Sequence, residues 1–202
     1  MSVLKGIRVI ELASERISWA GKLMGDMGAD VILVEPKEGE PSRNYPPFLD
    51  GQPGENRSLY FWHYNTSKRS IVLDLEDNKE QFTQLVNSAD ILIESEPINR
   101  LRDLDIDYPQ LSKTNKRLIH IAITPYGRNN SLSDLPSTDL TIMAAGGPPW
   151  SCGYDDQDLP PVRGWGNQSI HTACHFAMMS ALTALLFRGN GDKGQFIDIS
   201  MT

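Results

Sequence analysis

Short apolar runs alternate along the chain with segments whose apolar residues recur at helical spacing. The runs are typical of strands and cover residues 7–12, 31–34, 70–75, 90–94, 118–124 and 196–200. The first two runs flank a helical segment that Gly28 closes as a C-cap, which predicts a right-handed crossover in a parallel sheet. We therefore predict an α/β fold, a doubly wound parallel sheet with helices on both faces.

Apolar residues recur at helical spacing in four segments, each of which predicts a helix. They are residues 17–27, a segment whose N-terminus is capped by Asp77 or Asn78, a short stretch within residues 101–112, and residues 138–145. Residues 171–187 are apolar nearly all round, which predicts a buried helix. Four aromatic side chains in residues 58–65 predict a helix or turn packed on the sheet. Residues 37–57 and 151–162 are predicted to be loops.

The composition excludes several function classes. The chain has 202 residues, 40% of them hydrophobic, which suits one domain, and its net charge of −7 argues against nucleic acid as a partner. Charged residues interrupt the N-terminus, so we expect no secretory leader, and no uninterrupted apolar run predicts a membrane span. The cysteine and histidine spacing indicates no disulfide framework and no metal site, so we expect a cytoplasmic protein.

Polar residues near the predicted strand ends are candidates for phosphate binding. Ser14 and Arg16 lie between the first strand and its helix, whose N-terminus attracts anions. The glycines of that helix come too late for a dinucleotide fingerprint, which disfavours nicotinamide and flavin cofactors. Lys37, Lys68 and Arg69 lie near other strand ends, where each either binds phosphate or is an ordinary surface charge.

Cys174 is a candidate nucleophile because His171 precedes it by one helical turn and could lower the pKa of its thiol. The surrounding helix is apolar, however, and this favours a packed, inert cysteine.

Several motifs occur in the order in which one known family carries them. They are GIRVIEL, MGDMGADVILVEP, EPSR, NTSKRSIVLDL, SADILIES, LDIDYPQLSKTNKRLIHIAITPYG and KGQFIDISM. Together they resemble the N-terminal half of family III CoA-transferases, the CaiB/BaiF family, over nearly all of residues 4–201.

The resemblance implies a Rossmann-like large domain and a smaller second domain, in chains about twice this length that interlock in pairs. Residues 1–202 would be the N-terminal part of the large domain, with the second domain absent from this chain, which would end abruptly after a strand. Members transfer CoA between carboxylic acids or racemise acyl-CoA, so CoA or acyl-CoA would be the substrate, with no permanently bound cofactor. The family's CoA-binding positions correspond here to Ser14, Arg16, Ile17, Lys37, Lys68 and Arg69.

The sequence departs from the family at the position that carries the chemistry. Family transferases use an aspartate there, whose carboxylate attacks the thioester, whereas the alignment places Ile170 at that position. The histidine of family racemases falls at Thr138. An isoleucine can neither attack nor carry a proton, so Asp139 and His171 are the remaining candidates.

Three hypotheses follow. The first is an acyl-CoA-binding module that needs a second half, or a homologous partner in a homodimer or heterodimer, to supply the catalytic aspartate. The second is an active CoA-transferase or acyl-CoA racemase or isomerase that uses other groups. The third is a non-enzymatic α/β nucleotide-binding protein of another class.

Overall fold

The computed structural model describes residues 2–156, 158–160, 162–191 and 193–202, and within these residues six strands form one parallel sheet. The strands are β1 Arg8–Leu12, β2 Asp30–Glu35, β3 Lys68–Val72, β4 Ile91–Glu94, β5 Ile119–Thr124 and β6 Gln195–Ser200. Their order in the sheet is β3-β2-β1-β4-β5-β6. The predicted α/β fold class is therefore confirmed, and the chain changes direction across the sheet between β1 and β4.

Helices cover both faces of this sheet. They are α1 Ser18–Asp26, α2 Leu59–Asn65, α3 Lys79–Asn87, α4 Arg100–Asp103, α5 Tyr108–Thr114, α6 Asp139–Gly146, α7 Pro148–Ser151 and α8 Gln168–Gly191. Side chains of α1, α6 and α8 form one apolar core against the sheet. Side chains of α3, α4 and α5 form the other. Strands buried on both faces explain the continuous apolar runs in the sequence.

Some predicted boundaries differ from the structure. Strand β3 begins two residues earlier than predicted and ends at Val72. The short helix predicted around Tyr108 and Leu111 is α5, and a second helix, α4, precedes it. The chain turns between these two helices at Asp105, whose φ is 53°. The predicted loop after β2 contains two 3-10 helices, Pro41–Asn44 and Leu49–Gly51. Gly28 follows α1 at a φ of 93°, as expected for its predicted capping role.

The prediction that α8 is buried all round is wrong. One side of this helix packs on the sheet through small residues such as Ala177 and Ala181. The opposite side leaves Phe176 and Leu186 at 56% and 76% exposure, because nothing in the described part of the chain covers it. By length and composition α8 could also cross a membrane, contrary to the expected absence of such a run, but a core helix passes the same test.

Candidate functional site

Buried glutamates lie at or near the carboxyl ends of β1, β2 and β4. A buried carboxylate needs a cationic or hydrogen-bonded partner, and each of these glutamates has one. The pairs are Glu11 with Lys68, Glu35 with Arg43, and Glu94 with Arg128, each with a closest N–O distance of 2.7 Å. Lys68, Arg43 and Arg128 are therefore already paired with carboxylates of the protein.

Lys68 is a structural residue. Its side chain is 1% exposed, and its Nζ donates to Glu11 Oε1 at 2.7 Å, to the Ser18 carbonyl at 2.8 Å and to Asn65 Oδ1 at 2.8 Å. Burial raises the pKa of Glu11 to about 7 and lowers the pKa of Lys68. All three donors of the ammonium are used, which corrects the expectation that Lys68 offers a free charge to a phosphate.

Arg69 and Ile17 also lie away from the expected ligand position. Arg69 stands opposite Ile32 near the amino end of β3, and its Nη2 contacts Asp30 Oδ1 at 2.6 Å. Ligands of open α/β sheets bind at the other edge, beyond the carboxyl ends of the strands. The side chain of Ile17 is fully buried in the core, so only its backbone borders the β1–α1 turn.

Ser14, Arg16 and Lys37 do lie beyond the carboxyl ends of their strands. Ser14 Oγ accepts a 3.3 Å hydrogen bond from the backbone N–H of Arg16, which shapes the β1–α1 turn. Lys37 is exposed after β2 and forms no ion pair with the described residues. These three residues remain available to a ligand.

A crevice of about 210 Å³ opens where the chain changes direction between β1 and β4. Arg16 lines it, and the Arg16 guanidinium has no partner among the described residues. Ser95, Thr124 and Arg128 line the same crevice. Their Oγ, Oγ1 and Nε atoms are buried and have no hydrogen-bond partner among the described residues. Buried polar groups are rarely left unpaired in proteins, so this crevice has the character of a ligand site.

Sequence reasoning missed Arg128 and Thr124. Thr124 ends β5, and Arg128 follows the Tyr126-Gly127 turn, so their position after a buried strand was the available signal. Arg128 Nη1 donates to the Ile98 carbonyl at 3.2 Å, while its Nη2 contacts Glu94. These contacts fix the guanidinium with its Nε free.

The other end of the site is the N-terminus of α8. Asp139 Oδ1 accepts hydrogen bonds from the Ser169 backbone N–H at 2.9 Å and from Ser169 Oγ at 2.6 Å. Asp139 Oδ2 lies 3.4 Å from Arg163 Nη2. A carboxylate placed in this way caps a helix, so Asp139 holds α8 against the start of α6. Ile170 follows Ser169 and packs into the apolar core.

His171 belongs to an aromatic cluster rather than to a nucleophile pair. Its Nε2 lies 2.9 Å from the Tyr64 hydroxyl, and its ring lies 5.1 Å from that of Trp19. Burial lowers the pKa of His171, and the neighbouring His175 and His63 lower it further. The structure thus places this candidate beside Ile170 as a neutral ring near neutral pH.

Glu15 is a second carboxylate at this end of the site, and sequence reasoning missed it. Its Oε1 accepts hydrogen bonds from the Tyr60 hydroxyl at 2.6 Å and from Asn167 Nδ2 at 3.2 Å. Burial and the nearby Glu15 carboxylate raise the pKa of Tyr60. No single motif contains these residues, because α2, the β1–α1 turn and α8 come together only in the fold.

Cys174 is fully buried, and its Sγ donates to the Arg16 carbonyl at 3.4 Å. Burial raises the pKa of its thiol to about 12, so the sulfur is not a thiolate at neutral pH.

Residues 4–202 match the protein family described as CoA-transferase family III. The chain belongs to CoA-transferase family III. The predicted resemblance is confirmed, and the third hypothesis, a nucleotide-binding protein of another class, is excluded.

Relatives of this family III chain include several CoA-transferases. It is 36% identical over 195 residues to succinyl-CoA:(R)-benzylsuccinate CoA-transferase subunit BbsE of Thauera aromatica, covering 96% of this chain and 47% of that protein. It is 35% identical to succinate–glutarate CoA-transferase of Agrobacterium fabrum, covering 98% and 50%. The chain therefore spans about half the length of these curated relatives.

Solved structures of the family have the same fold. A CaiB/BaiF family protein of Brucella suis superposes with a TM-score of 0.89 at 30% identity, covering 99% of this family III chain and 53% of that one. An aspartate-to-alanine mutant of a Mycobacterium tuberculosis protein superposes with a TM-score of 0.86 at 26% identity, covering 99% and 54%.

Proposed function

We propose that the protein is the acyl-CoA-binding module of a family III CoA-transferase, and that the carboxylate which attacks the thioester comes from a second half or a partner chain. The observation that carries this proposal is Ile170. By the sequence resemblance Ile170 falls at the position of the family's aspartate, and its side chain packs into the core. A hydrocarbon side chain cannot form the acyl intermediate that CoA transfer requires.

The geometry of the crevice supports CoA as the ligand. The crevice lies at the crossover point of the sheet, where doubly wound folds bind nucleotides. Arg16 lines it with a guanidinium that has no partner among the residues that the structure describes. Ser137 is one of the residues that line the crevice. Asp139, two residues further along the chain, accepts a hydrogen bond from the backbone N–H of Ser169, the residue before Ile170. In this proposal the crevice binds only a phosphate end of CoA at Arg16. Ser14 and Lys37, which lie outside the lining of the crevice, are further phosphate ligands, and the thioester end extends towards the N-terminus of α8.

A homologous chain is the partner that this proposal favours, in a homodimer or a heterodimer. The relative from Thauera aromatica is named as a subunit, and this chain covers about half the length of its relatives. We also propose a cytoplasmic location and CoA as substrate rather than bound cofactor. Both cysteines are free thiols, which fits a reducing compartment.

Arg16→Ala is expected to weaken the binding of free CoA about tenfold, because charge-assisted hydrogen bonds to phosphate are among the strong ones. Isothermal titration calorimetry of the purified protein measures this change. Arg8→Ala is the matched control, since Arg8 pairs with Asp30 at the opposite edge of the sheet. The affinity of the Arg8→Ala variant for free CoA should equal that of the wild type. Equal affinity in the Arg16 variant would remove Arg16 from the CoA site, and no binding by the wild type at millimolar CoA would refute the proposal.

A second candidate function is an active transferase or isomerase that uses a carboxylate of its own. The observation that favours it is Asp139, whose carboxylate lies beside Ser169 at the N-terminus of α8. Both hydrogen bonds to Oδ1 fit a capping role, which makes this the weaker candidate.

A further inference from the structure

Glu15 has a fixed position near the N-terminus of α8, towards which the proposed function directs the thioester. Tyr60 and Asn167 hold its Oε1, and Asn167 Nδ2 also donates to the Tyr60 hydroxyl at 2.7 Å. The Asn167 carbonyl accepts from the His171 N–H at 3.0 Å, so Asn167, which holds the carboxylate, stands at the start of α8, the helix that contains Ile170. Neighbouring Arg16 lines the CoA crevice on the other side.

The groups that face Glu15 are acidic or neutral. Glu40 is buried, and its pKa is raised by burial and in part by the charge of Glu15. Burial and Glu15 also raise the pKa of Tyr45 and Tyr64, so both phenols stay neutral. Among the described residues no lysine or arginine pairs with Glu15. An acyl group within reach of Glu15 would therefore meet a carboxylate that has no cationic partner among the described residues.

We propose that Glu15 is a specificity-determining residue that favours acyl groups carrying a hydrogen-bond donor and disfavours acyl groups carrying a carboxylate. The inference rests on the proposed function, because it requires the thioester to lie near Ile170. A donor such as a hydroxyl would form a charge-assisted hydrogen bond with the carboxylate. A second carboxylate would be repelled at short range, where the protein screens charge less than water does.

Four ligands test this inference: free CoA, butyryl-CoA, 4-hydroxybutyryl-CoA and succinyl-CoA. The three acyl groups have the same number of carbons and differ only at the far end. We expect the wild-type protein to bind 4-hydroxybutyryl-CoA more tightly than succinyl-CoA. Glu15→Gln should reduce this ratio of affinities about five- to tenfold and leave the affinity for free CoA unchanged.

Glu80→Gln is the matched control, because it removes the same charge from an exposed site on α3, and its ratio should equal that of the wild type. Circular dichroism of each variant establishes that it is folded. An unchanged ratio in Glu15→Gln, with free CoA still bound, would overturn the role of Glu15 alone. If the wild-type protein does not bind free CoA at all, the proposed function is overturned together with this inference.

Discussion

Replacing Lys68 with alanine is expected to lower the free energy of unfolding by about 3–5 kcal/mol, because removing one partner of a buried ion pair strands the other. Glu11 is fully buried, and its Oε2 already has no hydrogen-bond partner among the described residues. Urea unfolding followed by circular dichroism measures the change. The double variant Glu11→Gln/Lys68→Met should recover most of the loss, since it leaves no stranded charge.

The effect of Lys68→Ala should depend on pH. Glu11 has a pKa of about 7 in the folded protein, above its ordinary value of 4.5. Its contribution to stability is therefore full below about pH 4.5 and is lost as the pH rises through about 7. Without the lysine, the loss should be larger at pH 8, where Glu11 tends to ionise, than at pH 5.

Arg69→Ala is the control for this prediction. Arg69 is the next residue along β3, but its ion pair with Asp30 is on the surface, so its loss should cost less than about 1 kcal/mol. If Lys68→Ala were as stable as Arg69→Ala, the buried pair would not hold β3 to β1, and Lys68 would again be a candidate for ligand binding.

Replacing Arg43 with methionine is expected to lower the free energy of unfolding by about 3 kcal/mol. Two nitrogens of Arg43 contact the carboxylate of Glu35 at 2.7 Å each, and the Glu35 side chain is 2% exposed. The guanidinium also lies 3.9 Å from the ring centre of Phe61 on α2. Arg43→Lys should recover little of the loss, because lysine cannot make the two parallel hydrogen bonds.

Glu35 has the opposite pH dependence to Glu11. Burial raises its pKa, but hydrogen bonds from Arg43, Ser70 and the Glu40 backbone outweigh this and leave it below its ordinary value of 4.5. Its contribution to stability is present above about pH 4.5 and is lost as the pH falls through the folded pKa. Arg57→Met, which breaks a pair with the exposed Asp50, is the control. A loss no larger than in this control would contradict the structural role of Arg43.

The sequence predicts the central strands β1, β2, β4 and β5 well because they are buried on both faces. The apolar runs in β2 and β4 have no polar residue inside them, so the run of apolar residues alone identifies these strands. The start of β3 is harder to predict, because Lys68 and Arg69 are charged and the strand lies at the sheet edge. The exposed side of α8 was unpredictable in principle, since composition does not tell which side of an apolar helix a sheet will cover.

The candidate site is only partly predictable from the sequence. Arg16 and Ser14 could be predicted as candidates because they follow the first strand, which is a local feature. The burial of Lys68 was missed, although Glu11 within an apolar strand was a sign that a cation must pair with it. Glu15 could not be identified, because its partners Tyr60 and Asn167 are 45 and 152 residues away in sequence.

Covalent trapping tests most directly whether this chain lacks its own acceptor carboxylate. The purified protein is incubated with acyl-CoA and hydroxylamine, which converts an activated carboxylate to a hydroxamate, and its mass is then measured. A homologous family III chain that carries aspartate at the position of Ile170 serves as the positive control. We expect no change in the mass of this chain, whether it is incubated alone or mixed with the homologue, and we expect the homologue to be labelled. A hydroxamate on Asp139, Glu15 or any other residue of this chain would contradict the account.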